Sequence, residues 1–120
     1  MIVAPSAAVV VFVIVAIIGL IMAVMHLRGK PPRLGLVRGH GVLAAVGIVL
    51  MVVSTALLAS AWAGAALALF ILTALAGLTM ASAHAEDKKV KGGVIVGHAA
   101  LGILATALVL TALLAGWLPA

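Results

Sequence analysis

Four stretches of largely apolar residues cover nearly the whole chain, and each is long enough to cross a lipid bilayer. They run roughly over residues 3–27, 40–61, 63–83 and 96–118. A transmembrane helix needs about 20 consecutive, mostly apolar residues. With 68% hydrophobic and 8% charged residues in 120 positions, the chain carries more apolar surface than a soluble core of this size can bury. We therefore predict an all-α integral membrane protein, a four-transmembrane-helix bundle forming a single domain over residues 1–120.

The two halves of the chain are related in sequence. Residues 6–57 align with residues 64–115 without a gap, at an offset of 58, and give 15 identities in 52 positions. Seven identical pairs are Ala or Leu, which composition alone can supply. The other eight are Phe12/Phe70, Gly19/Gly77, Met22/Met80, His26/His84, Lys30/Lys88, Gly35/Gly93, Gly39/Gly97 and His40/His98. We predict two tandem helical hairpins, repeat one over 3–61 and repeat two over 63–118, inserted the same way up as a parallel repeat.

The net charge of +5 comes from two segments between the spans. The basic residues are Arg28, Lys30, Arg33 and Arg38 after the first span, and Lys88, Lys89 and Lys91 after the third. The positive-inside rule places both segments in the cytoplasm and both termini outside, as in the inner membrane of a bacterium. Aromatic residues are too scarce for a base-stacking surface, so we predict the lipid bilayer and not nucleic acid as a partner. The acidic pair Glu86-Asp87 favours the start of a helix in the second segment.

All four histidines, His26, His40, His84 and His98, lie near the cytoplasmic ends of the spans. Placing an ionisable side chain inside a span costs free energy, so we treat each such residue as a candidate functional residue. Steps of four, seven and fourteen residues back from His26 reach Met22, Gly19 and Phe12. The same steps from His84 reach Met80, Gly77 and Phe70, so each set shares one helix face. Small residues on this face either pack two helices closely or leave room for a flat cofactor beside an imidazole.

Two neutral imidazoles on facing helices are a suitable pair of axial ligands for haem b. We predict one or two non-covalent haems, with the four histidines as iron ligands and Gly19, Gly77, Met22 and Met80 around them. Arg28 and Arg38, with Lys30 and Lys88, stand near the same level and can pair with haem propionates. The pairing stays open: His40 with His98 and His26 with His84, or one helix-end and one helix-start histidine in each half. The chain has no cysteine, which excludes thiolate metal sites and covalent haem attachment.

With its four spans and its histidine pairs, the chain resembles the small b-type membrane cytochromes. These are the cytochrome b561-like group and the haem-bearing membrane anchors of respiratory enzymes. The resemblance covers the bundle architecture and implies electron transfer through bis-His haem. Many of those proteins place haems toward both membrane faces, whereas the four histidines here lie near one face. The resemblance therefore implies exchange with quinone, quinol or a partner protein at the cytoplasmic half, or relay within a respiratory complex.

Two other functions fit the same residues. Four histidines can ligate zinc, copper or iron without haem, although no carboxylate lies within the spans. The chain can also be a non-catalytic subunit of a larger membrane complex or a homo-oligomer. A small multidrug exporter is disfavoured, because such proteins need an acidic residue in the first span, and Glu86 and Asp87 both lie in a loop.

Overall fold

The structure, a computed structural model, describes residues 5–58 and 60–115 and confirms the all-α fold with four candidate spans. The helices are α1 (Pro5–Leu27), α2 (Leu34–Leu58), α3 (Ala61–Ala85) and α4 (Gly92–Leu114). Both α2 and α4 begin before the apolar stretches predicted at residues 40 and 96, because helical hydrogen bonding continues into the polar flanks. Positions 3–4, 59 and 116–118 of the predicted repeats lie outside the described residues.

The helices α1 and α3 end in the same way. Gly29 has a φ of +73°, and the N–H of Lys30 donates to the Met25 carbonyl at 2.9 Å, which is the Schellman arrangement. In the second half Asp87 has a φ of +52°, and the N–H of Lys88 donates to the Ala83 carbonyl at 2.8 Å. The acidic pair therefore terminates α3 and does not begin α4, contrary to the sequence prediction. The helix α4 begins at Gly92, and its first turn contains no acidic residue.

The backbone of each helix lies close to two others, in the four pairs α1–α2, α2–α3, α3–α4 and α4–α1. Viewed along its axis, the bundle is therefore a square in which helices that follow each other in the chain are neighbours, and α4 lies next to α1. Side chains meet across both diagonals. Phe12 of α1 stacks on Phe70 of α3, with ring centroids 3.5 Å apart and planes 6° apart, and the His40 ring of α2 faces the His98 ring of α4. Both diagonal pairs join residues 58 positions apart, which agrees with the predicted repeat without establishing a duplication.

The two ends of the bundle differ in packing. The core lies toward the short α2–α3 turn and consists of Ala8, Val9, Phe12, Met51, Ala63, Ala66, Phe70, Ala105, Val109 and Ala112. Toward the two basic loops, no described residue of α1 after Val15 or of α3 after Phe70 is buried. The Phe12–Phe70 stack marks the boundary between the two regions. The packed end holds the helices together and leaves the loop-facing end open for a site.

A candidate cofactor cavity between two histidines

A cavity of about 350 Å³ occupies the loop-facing half of the bundle. All four helices line it, and it extends from the Phe12–Phe70 stack to Pro32 and Val90 in the two loops. Most of its lining residues are Ala, Gly, Val, Leu, Ile, Met or Phe, and the polar ones are three histidines and two threonines. An apolar cavity with a few convergent polar groups is the usual form of a small-molecule or cofactor site.

His40 and His98 face each other across this cavity. Their ring centroids lie 6.1 Å apart, and their planes are inclined at 67°. Each is the seventh residue of its helix, so the helical rise places both roughly 9 Å inside the loop-facing end. Of the pairings left open by the sequence, the structure brings together the pair across the bundle axis.

A hydrogen bond fixes the orientation of His98. Its Nδ1 lies 2.9 Å from the carbonyl oxygen of Thr73 in α3. A carbonyl only accepts, so Nδ1 carries the proton and donates, and the lone pair of the neutral ring lies on Nε2. Metal-ligating histidines commonly donate their second ring nitrogen to a carbonyl in this way.

His40 occupies the equivalent position in the first half but is held less firmly. Its Nδ1 is buried and, within the described residues, lacks a hydrogen-bond partner of normal distance and angle. The backbone of Val15, which is 58 residues before Thr73, interacts with this ring.

Two glycines provide the space for these rings. A Cβ added to Gly19 would lie 2.8 Å from Cε1 of His40, and one added to Gly77 would lie 3.0 Å from Cε1 of His98. The sequence suggested that these glycines either pack two helices together or flank a cofactor. In the structure they let the backbones of α1 and α3 approach the imidazoles themselves. Each histidine is thus confined by the preceding helix of its own half.

The remaining predicted site residues are distributed unevenly. Met22, Met80 and His26 line the cavity, whereas His84 does not, although it is half-buried like His26. The predicted layer of His26 with His84 is therefore not formed as a facing pair within the cavity. Arg28 and Arg38 are exposed at the loop-facing end, and Lys88 pairs with Glu86 at 2.7 Å.

Sequence reasoning missed two contacts of the site, the bond between His98 and the Thr73 backbone and the stacking of Phe12 on Phe70. The Thr73 carbonyl is a backbone group, and no residue type at position 73 signals its role. The Phe12–Phe70 stack forms the floor of the cavity. The sequence did mark these two residues, since both lie on the histidine face and match at the offset of 58.

A metal ion bound by protein side chains alone, without haem, needs more ligands than this arrangement supplies. Among residues 5–58 and 60–115, no group of three or more His, Cys, Asp or Glu side chains lies close enough to hold a metal ion. A haem iron needs only two axial ligands from the protein, because the macrocycle supplies the rest. No protein-family profile, curated protein or solved structure matches this chain.

Proposed function

We propose that this protein is a membrane-embedded b-type cytochrome that transfers electrons through a haem held between His40 and His98. The observation that carries the proposal is the 6.1 Å separation of the two imidazole rings across an apolar cavity. Imidazole nitrogens bind metals at about 2.0–2.1 Å, so two rings on opposite sides of one metal have centres about 6 Å apart. The 6.1 Å separation in the structure is close to that value.

The residues around the histidines also suit haem. The hydrogen bond from Nδ1 of His98 to Thr73 leaves Nε2 free to ligate, and the cavity lies within the range of about 300–1,000 Å³ that is usual for such sites. Arg28 and Arg38, exposed at the open end, would hold the haem propionates.

The bound haem would carry one electron at a time by cycling between ferric and ferrous iron. The chain's own contribution is to hold two neutral imidazoles at a fixed separation and to keep water away from the space between them. The packed core below the Phe12–Phe70 stack closes the cavity toward the α2–α3 turn. Electron exchange with a quinone, a quinol or another subunit would therefore take place in the loop-facing half.

A spectrum of the purified protein tests this function. We expect protein from haem-sufficient cells to be red, with a reduced-minus-oxidised spectrum of the b type and about equimolar haem. Metal analysis of the same sample separates haem iron from zinc or copper. Colourless protein that also fails to bind added haemin would contradict the proposal.

We further propose that the two basic loops face the cytoplasm of a bacterial cell. Both carry lysines or arginines, whereas the α2–α3 turn at Ser60 and Ala61 carries none. The chain lacks cysteine, so single cysteines report orientation cleanly. In intact cells a membrane-impermeant maleimide should label Ala61→Cys and spare Lys30→Cys and Lys89→Cys until the cells are opened. The reverse labelling pattern would place the haem cavity near the outer face instead.

A further inference from the structure

His26 is the third histidine of the cavity, and ligation of iron by His40 and His98 leaves it without a role. It lines the cavity and is half-buried. Gly19 of the same helix lies at the level of the His40 ring, since a Cβ added there would be 2.8 Å from Cε1 of that ring. His26 follows Gly19 by seven residues on the same helix face and therefore lies about 10 Å nearer the loops. It stands at the loop-facing mouth of the cavity.

Parts of both loops surround this mouth. Pro32 of the first loop is buried and lines the cavity together with Val90 of the second. A Cβ added to Gly92, at the start of α4, would lie 3.8 Å from the side chain of Leu27, the residue after His26. Side chains of a helix point back toward its N-terminus, which in α1 directs His26 into the bundle. The imidazole is thus part of the cavity wall and not of the exposed loop.

The His26 imidazole has hydrogen-bonding capacity to spare. Within residues 5–58 and 60–115 it makes no side-chain hydrogen bond, ion pair or ring contact. Even a neutral imidazole carries one N–H, so His26 offers a donor to a ligand at the mouth. The corresponding residue of the second half, His84, does not line the cavity. The donor is therefore present on one side of the mouth only.

The two ends of the cavity differ in what they can accept. The floor is the Phe12–Phe70 stack above an apolar core, where a charged group would lack a partner. The first loop and its flanks, residues 26–40, contain no acidic residue and four basic ones, which are Arg28, Lys30, Arg33 and Arg38. A ligand with an apolar body and an anionic end therefore fits with its anionic end at the mouth, beside His26.

We propose that the N–H of His26 donates a hydrogen bond to a carboxylate of the ligand in the cavity and so determines which way round that ligand is held. The inference rests on the proposed function for the identity of the ligand, since the carboxylates of haem are its two propionates. Arg28 and Arg38 are exposed, so water and salt weaken their attraction. His26 acts at shorter range from the wall. It is a positioning residue and not a ligand of the iron.

Haemin and haemin dimethyl ester separate this contact from the others. In the ester both carboxylates are capped, while the iron and the macrocycle are unchanged. Each is titrated into the haem-free protein in detergent. We expect His26→Ala to weaken haemin binding by about tenfold, as for loss of a hydrogen bond to a charged group, and to leave binding of the ester unchanged. His26→Gln keeps an N–H donor and should restore part of the affinity for haemin.

His84→Ala is the matched control, because His84 is also half-buried but lies outside the cavity lining, and it should leave the binding of both porphyrins unchanged. An equal loss of haemin and ester binding in His26→Ala would overturn the proposal, since the histidine would then only fill space. So would loss of the low-spin spectrum from haemin-loaded His26→Ala, which would make His26 an iron ligand. A wild-type protein that binds neither porphyrin would contradict the proposed function together with this inference, so the two failures are distinguishable.

Discussion

Replacing His98 with alanine removes the b-type spectrum and lowers the haem retained per chain by more than about tenfold. Changing a residue that only supports a metal ligand already costs about 10–100-fold in metal affinity. His98→Ala removes the ligand itself and, with it, the hydrogen bond to Thr73. His40→Ala removes the opposite ligand, so we expect a loss of the same order. Haem content after purification, measured as haem per protein, gives the result directly.

His84→Ala is the matched control for this experiment. His84 lies on the same face as Gly77 in sequence but does not line the cavity, so its loss should leave the haem content unchanged. Added imidazole should restore the spectrum of His98→Ala, which shows that the variant still folds. If His84→Ala loses haem as fully as His98→Ala while His40→Ala keeps it, the haem is held within one half of the chain and the pairing across the axis is wrong.

Replacing Gly19 with valine should weaken haem binding by about tenfold, or about 1.4 kcal/mol. A Cβ at this position would lie 2.8 Å from Cε1 of His40, so the ring must move away from α1. Unlike a flexible side-chain end, this ring cannot turn aside and still face His98. Gly77→Val should have a similar or smaller effect, because the corresponding distance to His98 is 3.0 Å. Titration of the haem-free protein with haemin measures the affinity.

Gly39→Val is the control for the glycine variants. A Cβ at Gly39 meets no atom within 4 Å, and the residue is adjacent to His40 on the same helix. It therefore tests the effect of adding valine near the site without touching the imidazole. Equal affinities for Gly19→Val and Gly39→Val would show that the position of the His40 ring does not govern binding.

The fold was predictable from the sequence because lipid-spanning helices are set by the length of apolar stretches. The start of α4 was less predictable, since Gly92 precedes the apolar stretch at residue 96 and hydropathy does not mark where helical hydrogen bonding begins. The prediction that Glu86-Asp87 starts a helix was wrong. Charge preference at helix ends is weak compared with the Schellman hydrogen bonds that end α3.

The candidate site was predictable only in part. Helical periodicity placed Phe12, Gly19, Met22 and His26 on one face, and all four line the cavity. Periodicity does not determine how each helix is rotated about its axis relative to its neighbours, so it could not decide which histidines face each other. The matching face of α3 contributes Phe70, Gly77 and Met80 to the cavity but not His84. That difference depends on side-chain positions at the helix end, which the repeat in sequence does not encode.

The most direct test of the central claim, that His40 and His98 ligate one haem iron, is the electron paramagnetic resonance spectrum of the oxidised protein. We predict low-spin, six-coordinate iron with two imidazole ligands, and loss of that signal in His40→Ala and His98→Ala alone among the histidine variants. A five-coordinate spectrum, or a bis-imidazole signal that survives both substitutions, would contradict it.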